Sequence, residues 1–228
     1  MAANGRDYFT WFCSGGVVLD KVTIHWPRST FIGVTILATI GFVLVSGPFS
    51  SVHQLIVPSL IGFLLVLLGI AMFTVNHRTT RVIAFLIIVL LGAEMVLSLY
   101  VLIGELLRHE AQAKFLLYNG LVLWITNIGV FSVLYWEIDR GGPYRRHHHI
   151  EVRADFLFPQ MGIPDSIKGA GWHPIYMDYL FLSFTTSTAF SPTDALPLSA
   201  RAKGLMMVQA MISLTILVII AARAINIA

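Results

Sequence analysis

The sequence predicts an all-α integral membrane protein with five transmembrane helices and one re-entrant, pore-loop-like half-helix before the last of them. The composition is the first reason: 57% of the 228 residues are hydrophobic and only 12% are charged. A soluble globular domain is about half apolar and about a quarter charged. The composition therefore excludes a water-soluble enzyme, a disordered chain and a coiled coil. The single cysteine, Cys13, excludes a disulfide scaffold.

Five long apolar segments are the second reason, because a helix needs about 20 such residues to cross the hydrocarbon core. They are 30–46, 55–75, 82–107, 115–136 and 204–224. A lone lipid-exposed strand would leave its backbone groups unpaired, so all five are expected to be helices. The chain then divides into an N-terminal interfacial segment (1–29), a four-helix transmembrane region (30–138), a polar loop (139–174) and a C-terminal part (175–228).

The polar loop 139–174 is the only sizeable polar stretch, and its scattered glycines and prolines indicate irregular structure with a short strand at 150–152. At its start, Glu137, Asp139 and Arg140 are most simply an interfacial charge cluster. At its far end, Asp178 is expected to cap the half-helix that follows.

The segment 175–197 is too short to cross a membrane. Its apolar part is about half a span, and segments of that length are usually buried or re-entrant. A run rich in threonine and serine follows, and Pro192 would end any helix. A half-helix, a polar turn and then a full helix is the plan of a pore loop.

This plan resembles the pore module of potassium-channel-like proteins over residues 176–226. The resemblance rests on the short aromatic helix, the threonine-rich turn, Asp194 near its end and the inner helix after it. Residues 179–194 and the motif at 136–143 also resemble an uncharacterised family of bacterial multi-span membrane proteins, which implies no activity. The resemblance to channels implies a homo-oligomer, a tetramer by analogy, because pore loops surround a shared axis.

The glycines of a potassium filter are absent from this turn. The family's filter resembles Thr-Val-Gly-Tyr-Gly-Asp, whose glycines let successive carbonyls face the ion. If Thr188 is matched to the filter threonine, Phe190 and Pro192 stand at the glycine positions, and a match on Asp194 supplies no glycine either. Potassium selectivity is therefore not expected. Two interpretations of the turn remain: a wider constriction lined by hydroxyl groups, and a structural wedge that conducts nothing.

The candidate pore-lining residues lie in the turn and on the last helix. Gln209 and Ser213 share a face of that helix, four residues apart, and could line a pore or bind the re-entrant turn. The filter-like candidates are Thr185, Thr186, Thr188, Ser191, Thr193 and Asp194.

Three further polar residues are predicted inside the membrane: Glu94, Asn119 and Asn127. A carboxylate at that depth is costly, so Glu94 marks a proton or cation site or a paired interior position. In the second interpretation a neutral Glu94 bonds to a neighbouring helix, for example through Asn119, Asn127 or Gln209.

The basic residues predict the orientation. Twelve of the fifteen Lys and Arg residues fall on the side of the N-terminus and of the loops 76–81 and 139–203. The chain is expected to lie in the plasma or inner membrane of the cell. The positive-inside rule places the basic side, with the N-terminus, in the cytoplasm. Arg145 and Arg146 would then face anionic lipid.

No cofactor, metal site or nucleic-acid partner is expected. Neighbouring side chains point in different directions, so His147, His148 and His149 cannot all face one metal. No glycine-flanked nucleophile elbow surrounds Ser183 or Ser187, so an enzyme is the poorest class. The leading hypothesis is a channel-like pore-loop protein of unknown ion selectivity, with the lipid bilayer and inorganic ions as partners. The alternatives are a proton-coupled carrier using Glu94 and a non-transporting membrane assembly or partner protein.

Overall fold

The computed structural model describes residues 63, 77–108, 113–147, 152–164, 167, 172–188 and 195–225. The predicted N-terminal segment 1–29, the span 30–46 and all but Phe63 of the span 55–75 lie outside these residues. Ser191, Thr193 and Asp194 also lie outside them. The described part is mostly helical.

Three of the described helices are long and apolar enough to cross a membrane, and they coincide with the last three predicted spans. They are α1 (His77–Arg108), α2 (Ala113–Ile138) and, after two shorter helices, the last helix Ala200–Ile225. Each extends a few residues beyond its apolar segment, because flanking polar residues continue the helical backbone after the apolar run has ended. The protein therefore associates with a membrane through these helices.

The two shorter helices and a small sheet lie between α2 and the last helix. A 3-10 turn at Asp139–Gly141 leads into α3 (Pro143–His147), and a second one covers Pro159–Gly162. Helix α4 (Tyr176–Thr188) precedes α5 (Ala200–Ile225). Strand β1 (Phe156–Leu157) pairs antiparallel with β2 (Leu196–Pro197).

The short strand of the polar loop is not at Val152, which has no regular structure, while Ile150 and Glu151 lie outside the described residues. It lies at Phe156–Leu157, where it pairs with Leu196–Pro197, a strand that comes after α4 in the chain. A strand this short is fixed by its partner, which local sequence pattern does not reveal.

Helix α2 is the central element and packs against α1, α4 and α5. One core joins α1 to α2 through Ala84, Ile87, Ile88 and Leu91 against Val130 and Val133. A larger core joins α2, α4, α5 and β1; its largest fully buried side chains include Tyr135, Phe156, Tyr179, Leu182 and Ile216.

Helices α2 and α5 run antiparallel at close range. Gly120 lies against Ile220, and Tyr135, fifteen residues later on α2, contacts Gln209, eleven residues earlier on α5. A Cβ at Gly120 would stand 2.8 Å from Cγ1 of Ile220, so this approach requires glycine. Small residues are common where membrane helices pack this closely.

Candidate functional site

A buried hydrogen-bond network centred on Gln209 joins α2, α4 and α5. The Gln209 side chain is fully buried. Its Nε2 lies 2.9 Å from the carbonyl oxygen of Ser183 and 2.7 Å from the hydroxyl oxygens of Ser183 and Ser187. The amide carries two hydrogens, which these three oxygens share. Its Oε1 accepts a hydrogen bond of 2.5 Å from the Tyr135 hydroxyl.

Ser213, one turn after Gln209, extends the same network. Its hydroxyl donates to the carbonyl oxygen of Ser187 at 2.7 Å, and only 1% of the residue is exposed. The Ser183 hydroxyl, which accepts from Gln209, donates in turn to the carbonyl of Ile128 on α2 at 2.7 Å. Gln209 and Ser213 thus hold α4 in place, and of the two interpretations of this face the contacts favour binding of the short helix.

One face of α4 contacts this network and the end of α2, through Tyr179, Ser183 and Ser187. They recur every four residues, which places them on one helical face. That spacing is visible in the sequence and indicates a docking face, whereas the residues of α4 predicted for the site are the threonines beside it. Tyr135 was also missed, since a tyrosine within a span carries no signal of a polar partner.

The threonines of α4 bond to the helix itself. The Thr186 hydroxyl donates to the carbonyl of Leu182 at 2.8 Å, and Thr186 is buried. Thr185 and Thr188 are half-buried, and their hydroxyls donate to carbonyls three and four residues earlier at 3.0–3.2 Å. These bonds use the hydroxyl hydrogens, so each oxygen keeps capacity to accept a hydrogen bond or contact a cation.

Glu94, Asn119 and Asn127 have buried atoms that make no hydrogen bond within the described part of the chain. Asn127 is fully buried and Glu94 is 8% exposed. The atoms concerned are Glu94 Oε1, Asn119 Oδ1 and both amide atoms of Asn127. Asn127 therefore does not pair with Glu94: it lies two turns from Gly120, on the face of α2 that approaches α5. Unpaired buried polar atoms are rare and call for a water, an ion or a functional role.

A second polar cluster surrounds the end of α2, and its centre is Asp139. This residue is fully buried, and Glu137 is only 7% exposed, so the charge cluster expected here is a buried junction. Asp139 Oδ1 accepts the backbone N–H of Asp155 at 2.8 Å and of Phe156 at 3.3 Å. Its Oδ2 accepts the Tyr179 hydroxyl at 2.6 Å. Packing of β1 and α4 over the end of α2 buries the carboxylate, which the sequence of α2 alone does not suggest.

Arg146 belongs to this junction through hydrogen bonds and ring contacts. Its Nη1 donates to the carbonyl oxygens of Trp136 and Asp139 at 2.8 and 2.7 Å. The guanidinium carbon lies 4.2 Å from the centroid of the Trp136 ring and 5.2 Å from that of Tyr179. A planar cation stacks well on aromatic rings, which accounts for this position of the guanidinium, and the expectation that Arg146 faces anionic lipid stays a prediction. Arg145 is exposed.

An ion pair fastens the polar loop to the first turn of α5. Arg201 donates from Nε to Oδ1 of Asp155 at 2.6 Å and from Nη2 to Oδ2 at 2.5 Å. Burial alone would raise the pKa of Asp155, but hydrogen bonds from Arg201 and Ser199 and the charge of Arg201 outweigh it and lower the pKa. The carboxylate is thereby held in its charged form.

Asp178 caps the amino end of α4 as expected, but it does so from the first turn of the helix. Its Oδ2 accepts the backbone N–H of Ile175 at 2.7 Å, and Ile175 directly precedes α4. A side chain in the first turn that reaches back to the residue before the helix forms half of a capping box. Among the described residues, no group of three or more His, Cys, Asp or Glu side chains could hold a metal ion.

Together these contacts define a mostly helical protein in which three of the described helices are of membrane length, and buried polar side chains hold the shorter helix α4 between α2 and α5. No family model, curated protein or solved structure matches the chain.

Proposed function

We propose that this chain is a subunit of a homo-oligomeric, channel-like membrane pore, in which α4 is a re-entrant pore helix. The observation that carries the proposal is the position at which α4 ends. Ser187, next to the last residue of α4, bonds to Ser213, which is thirteen residues from the start of α5 and twelve from its end. The carboxyl end of the short helix thus lies beside the middle of a membrane-length helix.

The contacts at the two ends of α4 support a re-entrant path. At its beginning, Tyr179 bonds to Asp139 at the end of α2. After Thr188 the chain is next described at Ala195, and β2 then pairs with β1, whose Phe156 also bonds to Asp139. The chain therefore leaves and returns to one end of the helical bundle. A helix of 13 residues is about 20 Å long, which is half or more of a bilayer core.

The carboxyl end of a helix carries partial negative charge and favours cations nearby. Thr185 and Thr188 lie at this end, half-buried, with hydroxyl oxygens that can still accept. We therefore propose that inorganic cations pass this end of α4, and that Thr185, Thr186, Thr188, Ser191, Thr193 and Asp194 line the path. In this proposal Gln209 and Ser213 support the pore helix from behind.

Ion flux from liposomes that contain the purified full-length protein tests the proposal. Potassium, sodium and chloride gradients are imposed in turn on the wild type, Thr188→Trp and Thr215→Trp. Thr215 is the matched control, since its hydroxyl makes the same kind of bond, to the carbonyl of Met211 at 2.9 Å, on an exposed part of α5. We expect Thr188→Trp to abolish cation flux and Thr215→Trp to preserve it. Equal flux in both variants, or none in the wild type, would contradict a pore at this turn.

The oligomeric state provides an independent test. A pore around a shared axis requires several copies, and by analogy we propose four. The mass of the protein in detergent, with the bound detergent subtracted, should be four times the 25.3 kDa of one chain. A strictly monomeric protein that still conducts would disprove this part of the proposal.

The buried carboxylate of Glu94, one oxygen of which has no partner among the described residues, supports a second candidate, a proton-coupled carrier. A buried ionisable group inside a membrane bundle is typical of proton relays. The same liposomes distinguish the two: in a carrier, Glu94→Gln abolishes proton-coupled uptake and Thr188→Trp does not. If neither variant changes any flux and the wild type conducts nothing, the third candidate, a non-transporting assembly or partner protein, replaces both.

We also propose a multi-pass topology of five spans in a plasma or inner membrane, with the N-terminus in the cytoplasm. The excess of basic residues on one side supports this orientation. In a Cys13→Ser background, a cysteine in place of the exposed Arg145 should resist an impermeant thiol reagent in intact cells and react after permeabilisation. Labelling in intact cells would reverse the proposed orientation.

A further inference from the structure

A cavity of about 250 Å³ lies beside the first turns of α4, apart from the Gln209 network. One wall is a face of α4 with Asp178, Phe181, Leu182 and Thr185, which recur at three- and four-residue spacing. The rest of the lining comes from the loop residues Phe158, Pro159 and Gln160 and from Ala195.

Three polar side chains line this cavity, and each offers a hydrogen-bond acceptor: Asp178, Thr185 and Gln160, of which Gln160 also carries amide donors. Asp178 contributes a carboxylate, of which Oδ2 also accepts the N–H of Ile175. The Thr185 hydroxyl gives its hydrogen to the carbonyls of Phe181 and Leu182, at 3.0 Å each, so its oxygen is left as an acceptor. No lysine, arginine or histidine is among the described residues that line it. The lining therefore favours a cation that donates hydrogen bonds.

The apolar part of the lining favours an organic cation over an inorganic one. The buried apolar side chains of the lining, each at most 4% exposed, are Phe158, Leu182 and Ala195. The ring of Phe181 is exposed at the edge of the cavity. Hard inorganic cations take about six or more oxygen ligands, which this lining does not supply. Aromatic faces, in contrast, attract ammonium groups and pack against hydrocarbon. The volume is below the roughly 300–1,000 Å³ of most ligand pockets, so the occupant is small.

We propose that this cavity binds a small organic ammonium ion, with the ammonium group at Asp178 and an apolar body against Phe158 and Phe181. The site shares Thr185 with the proposed ion path, but its binding test does not require a pore. Two sources share this chemistry: a free primary amine, and the ethanolamine headgroup of a membrane lipid.

Binding of benzylammonium to the full-length protein in nanodiscs of phosphatidylcholine and phosphatidylglycerol tests the proposal. Benzyl alcohol, which has the same ring and no charge, is the comparison ligand. We expect benzylammonium to bind about tenfold more tightly or better, and Asp178→Asn to remove that advantage, because hydrogen bonds to charged groups are the strong ones. An asparagine at 178 can still accept the N–H of Ile175, so the helix cap is kept.

A pair of threonine variants provides a matched control. Thr185 lines the cavity, whereas Thr188 does not, and both make the same bonds to carbonyls three and four residues earlier. Thr185→Val should weaken benzylammonium binding and Thr188→Val should not. This pair decides the matter even if Asp178→Asn fails to fold.

Three results would overturn the proposal: no binding of benzylammonium, equal binding of benzyl alcohol, or equal loss in both threonine variants. Nanodiscs that also contain phosphatidylethanolamine distinguish the two sources. Competition by this lipid identifies the headgroup as the ligand, and unchanged benzylammonium binding identifies a free amine; both results agree with the proposed site.

Discussion

The Tyr179 hydroxyl donates a hydrogen bond to Oδ2 of Asp139 at 2.6 Å, and both residues are fully buried. Asp139 directly follows α2, and Tyr179 lies in the first turn of α4. Because Oδ1 of the same carboxylate accepts the N–H groups of Asp155 and Phe156, one side chain joins α2, α4 and the segment that enters β1. This junction fixes the start of α4, and so the depth at which Ser187 meets α5.

Replacement of Tyr179 by phenylalanine should destabilise the protein. The ring is kept, but Oδ2 of the buried Asp139 loses its hydroxyl donor. An unsatisfied buried polar group costs about 1–3 kcal/mol, and we expect the free energy of unfolding to fall by that amount. Chemical unfolding in mixed micelles measures it. Tyr100→Phe is the control, because Tyr100 is 74% exposed; an equal effect of the two variants would mean that the bond contributes nothing.

The Asp155–Arg201 ion pair should make stability depend on pH in the acid range. The pKa of Asp155 is lowered in the folded protein by Arg201 and Ser199 despite burial. Such a carboxylate stabilises the fold above its unfolded pKa of about 3.9, and this contribution disappears as the pH falls through the folded pKa. The wild type should therefore be more stable than Asp155→Asn at neutral pH and lose that advantage below about pH 4.

Melting temperatures of both proteins across this range give the measurement. Arg201 is 55% exposed, so salt should weaken the wild-type advantage at neutral pH. An advantage that persists unchanged at the most acidic pH would show that the two proteins differ for another reason.

Loss of the Gln209 amide should loosen α4 from α2 and α5. In Gln209→Leu, the Tyr135 hydroxyl and the carbonyl of Ser183 lose their partner while they remain buried. We expect a loss of about 1–3 kcal/mol in unfolding free energy. Met211→Leu on the same helix, at a side chain that is 69% exposed, should have little effect.

A double-mutant cycle between Gln209→Leu and Ser187→Ala separates their direct contact from general loss of packing. The amide nitrogen and the hydroxyl oxygen are 2.7 Å apart, so the combined loss should be smaller than the sum of the single losses. Strict additivity would indicate that the contact carries no energy.

The sequence was sufficient to predict the three described long helices and the short one. About 20 consecutive apolar residues form a membrane-spanning helix in most cases. A shorter apolar run before a polar turn forms a buried or re-entrant helix in most cases. The pairing of Gln209 and Ser213 on one face also follows from their spacing. Their partner Tyr135 could not be chosen, since nothing local to α5 indicates which helix will cover that face. The partners Ser183 and Ser187 do carry a signal, because their four-residue spacing places them on one face of α4.

The junction at Asp139 was missed for a related reason. An acidic residue at the end of a span is expected to lie at the surface with an exposed partner. Asp139 is buried because β1 and α4 both pack against it. These contacts join residues that are 16 and 40 positions apart in the chain. Arg146 returns to Trp136 because the chain turns at Gly141 and Gly142, whose φ angles are 75° and 97°. The sequence shows two consecutive glycines there, but it does not show which way they turn the chain.

Two glycine-to-alanine variants should change stability in opposite directions. Gly142 has a φ of 97°, and a Cβ there would lie 3.2 Å from the carbonyl oxygen of Glu137. The ψ of Gly142 is 172°, and this combination is a region that is essentially restricted to glycine and costs other residues about 1–3 kcal/mol, so Gly142→Ala should lower the free energy of unfolding by about that much. Gly204 lies in α5, where an added Cβ would meet no heavy atom of the described residues within 4 Å, and alanine is favoured over glycine in a helix by up to about 1 kcal/mol. Gly204→Ala should therefore be neutral or stabilising in the same unfolding measurement, and destabilisation by both variants would mean that the strain at Gly142 is not the cause.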